Sequence, residues 1–144
     1  MILEKIFEVR WADLDPNFHL RHSVYADYCA SLRMSVLESL GFGFRQFMKY
    51  QIGPVLFQEN ITYIKEVPPG SDVRVTMKIG GLSSDSRKFR ICHEIYRRSD
   101  GELSARLEVM GAWMDTVKRK ITVPPDELLK VMENYLRTED FHSL

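Results

Sequence analysis

The sequence predicts an α+β domain in which one long helix is enclosed by a curved antiparallel sheet of about five strands. Three observations carry that expectation. Residues 22–40 follow a helical period and are apolar around most of the circumference. After residue 53, four successive stretches alternate apolar and polar side chains with a period of two. One further strand precedes the helix. A helix with so wide an apolar face needs something that wraps it, and long strands joined by short turns supply an antiparallel meander.

The chain has 144 residues, enough for one domain with its own core, taken as residues 1–144. Apolar residues make up 44%, an ordinary globular share. Twenty Lys and Arg balance twenty Asp and Glu. Zero net charge lacks the basic footprint of a nucleic-acid binder and sets little repulsion against self-association. Cys29 and Cys92 lie far apart in expected buried elements and read as reduced core thiols. No run approaches the ~18 apolar residues of a membrane span. The N-terminal Met-Ile-Leu-Glu-Lys-Ile-Phe-Glu carries acids where a signal peptide is apolar. A cytoplasmic protein is expected.

The elements follow in order. The first strand is expected over about Leu3 to Trp11, with Phe7, Val9 and Trp11 alternating loosely with charged residues. A polar turn covers Ala12 to Arg21. The helix is expected from His22 to Leu40, with Tyr25, Tyr28, Cys29, Leu32, Val36 and Leu40 at helical spacing. Ala26, Ala30, Met34 and Leu37 widen its apolar face, and Ser23, Asp27, Ser31, Ser35 and Glu38 leave only a narrow polar stripe. Gly41 is a natural stop. Phe42 to Tyr50 reads as a short irregular or helical connection.

A strand from Gly53 places Phe57, Glu59, Ile61, Tyr63 and Lys65 on one face and ends at Pro68-Pro69-Gly70. Val73 to Ile79 alternate cleanly, and Gly80-Gly81 with Ser83-Ser84-Asp85 is expected to turn. Phe89 to Ile95 and Leu103 to Trp113 give two more strands. Pro124 and Pro125 precede a C-terminal helix expected over Asp126 to Leu136. One buried helix inside a strongly curved meander is a hotdog-like arrangement.

The chemistry concentrates in the turn. Residues 11–25 hold Asp13, Asp15, Asn17, His19, Arg21 and His22 between a strand and a buried helix. A carboxylate at a helix entrance can act on a carbonyl whose oxygen is held by the helix's free N–H groups. Each residue also has a plainer role. Asp15 before Pro16 suits the start of a turn. Asp13 reads as a structural turn or cap residue, Asn17 as a turn former and His19 as a loop-holding group. Arg21 is a solvated charge or a phosphate contact. Glu59 falls on the apolar face of its strand, where a buried acid needs a partner. It is therefore either paired structurally or contributed to a neighbouring subunit's site. His93 reads as a satisfied core histidine. Basic residues at Arg87, Lys88, Arg90 and 118–120 could meet phosphates, although solvated strand ends are the common explanation.

Trp11-Ala12-Asp13-Leu14-Asp15 through His19 to Tyr25 resembles the opening of the hotdog-fold acyl-CoA thioesterases of the 4-hydroxybenzoyl-CoA thioesterase type. The resemblance extends through Glu59-Asn60-Ile61-Thr62-Tyr63, Gly70-Ser71-Asp72-Val73 and Ile121-Thr122-Val123-Pro124, which are more generic. It implies hydrolysis of an acyl-CoA or acyl carrier protein thioester, with Asp15 as the catalytic carboxylate. It implies that the N–H of His22, at the helix entrance, polarises the thioester oxygen. Tyr25 matches the aromatic of the family's His-x-Asn-Tyr pattern. Asn17, His19, Tyr25, Tyr28 and Glu59 are the substrate-contact candidates. Val24 replaces the pattern's Asn, and Arg21 stands where many relatives carry an Asn; both departures bear on substrate and turn geometry. Asp15 could activate water or attack the carbonyl. The resemblance places the site at a dimer interface, so a homodimer or homotetramer is expected.

No cofactor and no metal are implied. The chain lacks Walker and dinucleotide glycine patterns, and no His, Cys or acid pair has zinc-site spacing. Two rivals remain. A hotdog hydratase or dehydratase would use an Asp and a His separated by four residues on another loop, a spacing that Asp15 and His19 do not have. A non-catalytic acyl-thioester binder is kept open by Arg21 and Val24.

Overall fold

The computed structural model describes residues 3–144. Strand β1 (Leu3–Glu8) leads through a 3-10 turn at Trp11–Asp13 into helix α1 (His22–Ser39) and a short helix α2 (Phe44–Tyr50). Strands β2 (Ile52–Tyr63), β3 (Asp72–Leu82), β4 (Lys88–Arg97) and β5 (Leu103–Asp115) follow. The chain ends with β6 (Lys120–Ile121), α3 (Asp126–Met132) and β7 (Arg137–Ser143). The sheet order is β1-β3-β4-β5-β2, with β6 on β5 and β7 on β3. All pairings are antiparallel except β3 with β7. This is the hotdog architecture.

Helix α1 supplies the centre of the core through Val24, Tyr25, Cys29, Leu32, Val36 and Leu37. The inward side chains of the sheet meet it, among them Val73, Val75, Met77, Ile79, Ile95, Leu107 and Val109. Their alternation along β3, β4 and β5 is the period-two pattern of strands with one face on the core. The end of α1 is a Schellman motif. Gly41, at φ +92°, donates its N–H to Glu38 and Phe42 donates to Leu37. Phe42 then buries beside Leu37, the apolar contact that accompanies this cap.

Four details depart from the sequence expectation. First, β1 stops at Glu8, because the chain tightens into the 3-10 turn at Trp11. Second, Gly80-Gly81 lies inside β3, not in a turn, and the register shifts there. A side chain at Gly81 would strike the carbonyl of His142 at 2.8 Å, so the glycine lets β7 approach. Third, α3 ends at Met132, short of the expected Leu136, and residues 137–143 form a strand beside β3 beyond the end of β1. Fourth, β2 pairs with β5 and not with β3, so the last meander strand and the first lie side by side and β2 is an edge.

The edge position changes the reading of α1 and of Glu59. Ala30 and Met34 are exposed, so one flank of the helix lies uncovered within a single chain. Glu59, expected to be a buried acid, is exposed and forms no ion pair among the described residues. It keeps its water because β2 borders an open groove. A β-bulge between Leu56 and Gln58 adds a residue opposite Gly111 and Met110. The bulge shifts the phase of the strand, so that Leu56 and Pro54, and not Phe57, continue the line of Tyr63, Ile61 and Glu59.

Candidate functional site

The turn before α1 is held by two acids with different duties. Asp13 is 1% exposed. Its carboxylate accepts hydrogen bonds from the backbone N–H and guanidinium of Arg10 and from the Tyr28 hydroxyl at 2.9 Å. The Arg10 contacts hold the Asp13 carboxyl down at about 2. Burial, together with donation to Asp13, pushes the Tyr28 phenol up. Tyr28 stacks on Phe7 at 4.6 Å between ring centres. Asp13 is therefore the anchor that fixes the turn to β1 and α1. Tyr28, a substrate-contact candidate from the sequence, serves that anchor and lies outside the cleft described next.

Asp15 begins a tight loop. Its backbone N–H donates to His19 O at 2.8 Å, its C=O accepts from Phe18, and Leu14 bridges Leu20. Carboxylate oxygen Oδ1 accepts the N–H groups of Asn17 at 2.9 Å and His19 at 3.1 Å. This is the Asx-turn geometry that suits an Asp before Pro. Oxygen Oδ2 accepts no hydrogen bond among the described residues. Phe18, at φ 60°, takes the left-handed conformation that the turn needs. Arg21 folds back over the loop, donating to Ser23 Oγ at 2.9 Å and Ala12 O at 2.8 Å.

Helix α1 begins at His22 with no side-chain cap. The N–H groups of His22 and Ser23 find no acceptor among the described residues, while Val24 already donates to Arg21 O. Free donors at the positive end of an eighteen-residue helix favour an anion or a polarised carbonyl oxygen.

Asp15, His19, His22 and Tyr25 line one cleft of about 260 Å³ with Leu20 and residues 63–66. The structure therefore brings together four of the candidates read from the sequence. Asn17 stays outside, exposed, and contributes its backbone N–H to Asp15. Tyr28 and Glu59 lie elsewhere. The far wall was not legible in the sequence. Tyr63 meets Tyr25 edge to face at 5.2 Å and donates its hydroxyl to His22 O at 3.1 Å, which pins the end of β2 to the helix entrance. Lys65 pairs with Glu102 at 3.2 Å. Glu66 is the second carboxylate of the cleft. The one available signal was the pair of aromatics Tyr25 and Tyr63, each ending an apolar period beside a polar turn. Tyr25 is buried, which raises its phenol.

The sequence profile of the thioesterase-like superfamily matches residues 9–132. The chain belongs to that superfamily. It is 23% identical over 133 residues to the chloroplastic acyl-acyl carrier protein thioesterase ATL3 of Arabidopsis thaliana, covering 92% of this chain and 68% of that one. Among solved structures it superposes on the Staphylococcus aureus protein SAV2348, determined in complex with CoA, with a TM-score of 0.85. That pair is 18% identical and covers 94% of this chain and 84% of the other. The 1,4-dihydroxy-2-naphthoyl-CoA thioesterase Slr0204 of Synechocystis gives a TM-score of 0.82 at 16% identity, covering 93% and 97%. The Escherichia coli probable thioesterase YbaW gives 0.80 at 19%, covering 93% and 98%. At these identities the likenesses carry the hotdog fold.

No helix among the described residues is long and apolar enough to cross a membrane. No cluster of three or more His, Cys, Asp or Glu side chains gathers at metal-binding spacing among them. Cys29 and Cys92 are free thiols, and burial pushes Cys29 up to about 12.

Proposed function

We propose that this thioesterase-superfamily chain hydrolyses acyl thioesters of coenzyme A or acyl carrier protein, with Asp15 as the reacting carboxylate and the α1 N-terminus as oxyanion donor. One observation carries the reading: Asp15 and a helix entrance with two unpaired N–H groups share a single cleft. A thioester is already electrophilic and its thiolate leaves readily. The protein has to supply a base or nucleophile, an oxyanion donor and a dry place for the acyl chain.

The chain's residues divide that work. The two N–H groups on Oδ1 fix the carboxylate and leave Oδ2 toward chemistry. Acting as base, Asp15 takes a proton from water as the water oxygen bonds to the thioester carbon. The N–H groups of His22 and Ser23 hold the developing oxyanion. Collapse breaks the C–S bond, and the thiolate leaves with the proton. Acting as nucleophile, Asp15 forms an anhydride with loss of thiolate, and water then opens it. The same residues serve both routes. A second copy of the chain, docked along the open edge of β2, completes the wall of the groove.

The test is thiol release from short, long and aromatic acyl-CoAs and from acyl carrier protein thioesters, comparing wild type with Asp15→Asn. General base catalysis sets the expected loss at about a hundredfold or more. Circular dichroism checks that the variant is folded. Unchanged turnover in folded Asp15→Asn overturns the assignment. If Glu66→Gln is then inactive, the role passes to Glu66.

A further inference from the structure

The cleft at the helix entrance is not the apolar part of the molecule. A separate cavity of about 220 Å³ lies against the second half of α1. Its walls include Met34, Leu37, Leu56, Phe89, Trp113 and Met132. One ionised side chain joins them, Arg33.

Helix and strand run in opposite directions. Tyr63, at the end of β2, contacts His22 at the start of α1, while Pro54 and Leu56, near the start of β2, line the cavity with Arg33 and Leu37. Between these positions α1 carries Ala26 and Ala30, and β2 carries Ile61 and Glu59, whose carboxylate lies within charge range of Arg33. From His22 to Arg33 the helix advances about 16 Å, roughly the reach of a twelve-carbon chain. An acyl group whose thioester sits at Asp15 can therefore lay its far end in the cavity.

Arg33 is unusual for a wall of that kind. It is half-buried, and it forms no ion pair among the described residues. Its one hydrogen-bond partner is His93, with Nη1 to Nε2 at 3.0 Å. His93 is 1% exposed, and its Nδ1 faces Thr76 O at 2.9 Å. That contact places the imidazole proton on Nδ1 and leaves Nε2 to accept from Arg33. Burial and the Arg33 charge both hold His93 neutral, down at about 3. The guanidinium thus has a neutral partner and several N–H groups to spare. The indole N–H of Trp113, also in the wall, lacks an acceptor among the described residues. A half-buried cation and an unmet donor beside an apolar cavity are costly unless a ligand supplies oxygen.

We propose that this cavity receives the far end of the acyl chain and that Arg33 selects chains bearing an acceptor oxygen there, a carboxylate above all. The guanidinium fork suits a carboxylate, which would pair with it directly where the Glu59 carboxylate acts on it only at a distance. The proposal takes only the orientation of the chain from the thioesterase reading. Arg33 is a specificity residue and takes no part in the chemistry at Asp15.

Binding separates the two ideas. Methyl dodecanoate and monomethyl dodecanedioate carry no thioester and differ only in the far-end carboxylate, so calorimetry with these oxygen esters reports on the cavity whether or not the chain hydrolyses thioesters. Wild type is expected to bind the half-ester about tenfold more tightly, the scale of one charge-assisted contact. Arg33→Met, which keeps the apolar stem, should reverse the order, and Arg33→Lys should retain part of it. Thiol release should follow the same ranking for dodecanoyl-CoA against the CoA monothioester of dodecanedioic acid, read as a ratio within each variant. A wild type that prefers methyl dodecanoate overturns the proposal. So does a ratio unchanged in either folded Arg33 variant. Half-ester preference without thiol release would support the cavity and count against the hydrolase reading.

Discussion

At the scale of single residues, the opening turn separates two aspartates that the sequence places two positions apart. Asp13 is enclosed and fully bonded, whereas Asp15 keeps one carboxylate oxygen free of partners among the described residues. The distinction follows from neighbours that spacing alone does not reveal: Arg10 reaches back from before the 3-10 turn, and Tyr28 reaches forward from α1. It has a consequence for acid stability. The Asp13 carboxyl, held at about 2 against an unfolded value near 4, is ionised in the fold where the unfolded chain begins to take up a proton. Its contribution is complete above the unfolded value and is lost as pH falls through the folded one. That shift corresponds to about 2 kcal/mol. Urea unfolding at a series of pH values should show wild-type stability falling between about pH 4 and pH 2. Asp13→Asn should be less stable at neutral pH and should lack that component of the slope. An identical slope in the variant would place the acid sensitivity in other carboxylates.

At the scale of elements, most of the fold was legible because it rests on periodicity. Helix α1 begins at His22 as expected, and its end at Ser39 lies one residue inside the expected boundary. Strands β3, β4 and β5 keep one face in the core, so their alternation survives in the sequence. The features that escaped belong to pairing. Nothing local in residues 52–63 says that they pair with β5. Residues 137–143 are too polar to read as a strand, and they become one only because Gly81 lets them close on β3. The candidate site divides in the same way. Asp15, His19, His22 and Tyr25 lie in one short stretch of sequence and were found, whereas Tyr63 and Glu66 arrive through the long-range pairing of β2.

The β2–β5 pair also carries a specific steric demand. A Cβ at Gly111 would stand 2.2 Å from the Val55 carbonyl, beside the bulge that sets the phase of β2. Gly111→Ala must push the two strands apart and should cost about 1–3 kcal/mol, the usual range for overpacking. At Gly53 the nearest atom would be Thr116 Cγ2 at 3.6 Å, an ordinary contact. Denaturant midpoints of the two variants should therefore differ, with Gly53→Ala close to wild type. Equal midpoints would mean that the strands adjust without penalty.

At the scale of the whole molecule, the two edges of the sheet are unlike. The β1 edge spans six residues and carries Glu4, Lys5 and Glu8, charges that discourage pairing. The β2 edge spans twelve and exposes Leu56, Phe57 and Tyr63, with Ile64 just beyond. Unpaired backbone and apolar side chains on one long edge, in a chain of zero net charge, call for a second copy. Such a copy would cover the uncovered flank of α1 and close the groove between the two sites. Phe57, the extra residue of the bulge, is 55% exposed and lines neither the cleft nor the cavity, so it probes the interface without touching the proposed chemistry. Light scattering after size exclusion should give a particle of at least twice 16.9 kDa for wild type. Phe57→Lys, placing a charge on the edge, should shift it to the single-chain mass and weaken thiol release with it, because the open groove readmits water to the acyl chain. A wild type that is monomeric and fully active would show that one protomer completes its own site. A monomeric Phe57→Lys with undiminished turnover would assign the second copy to stability alone.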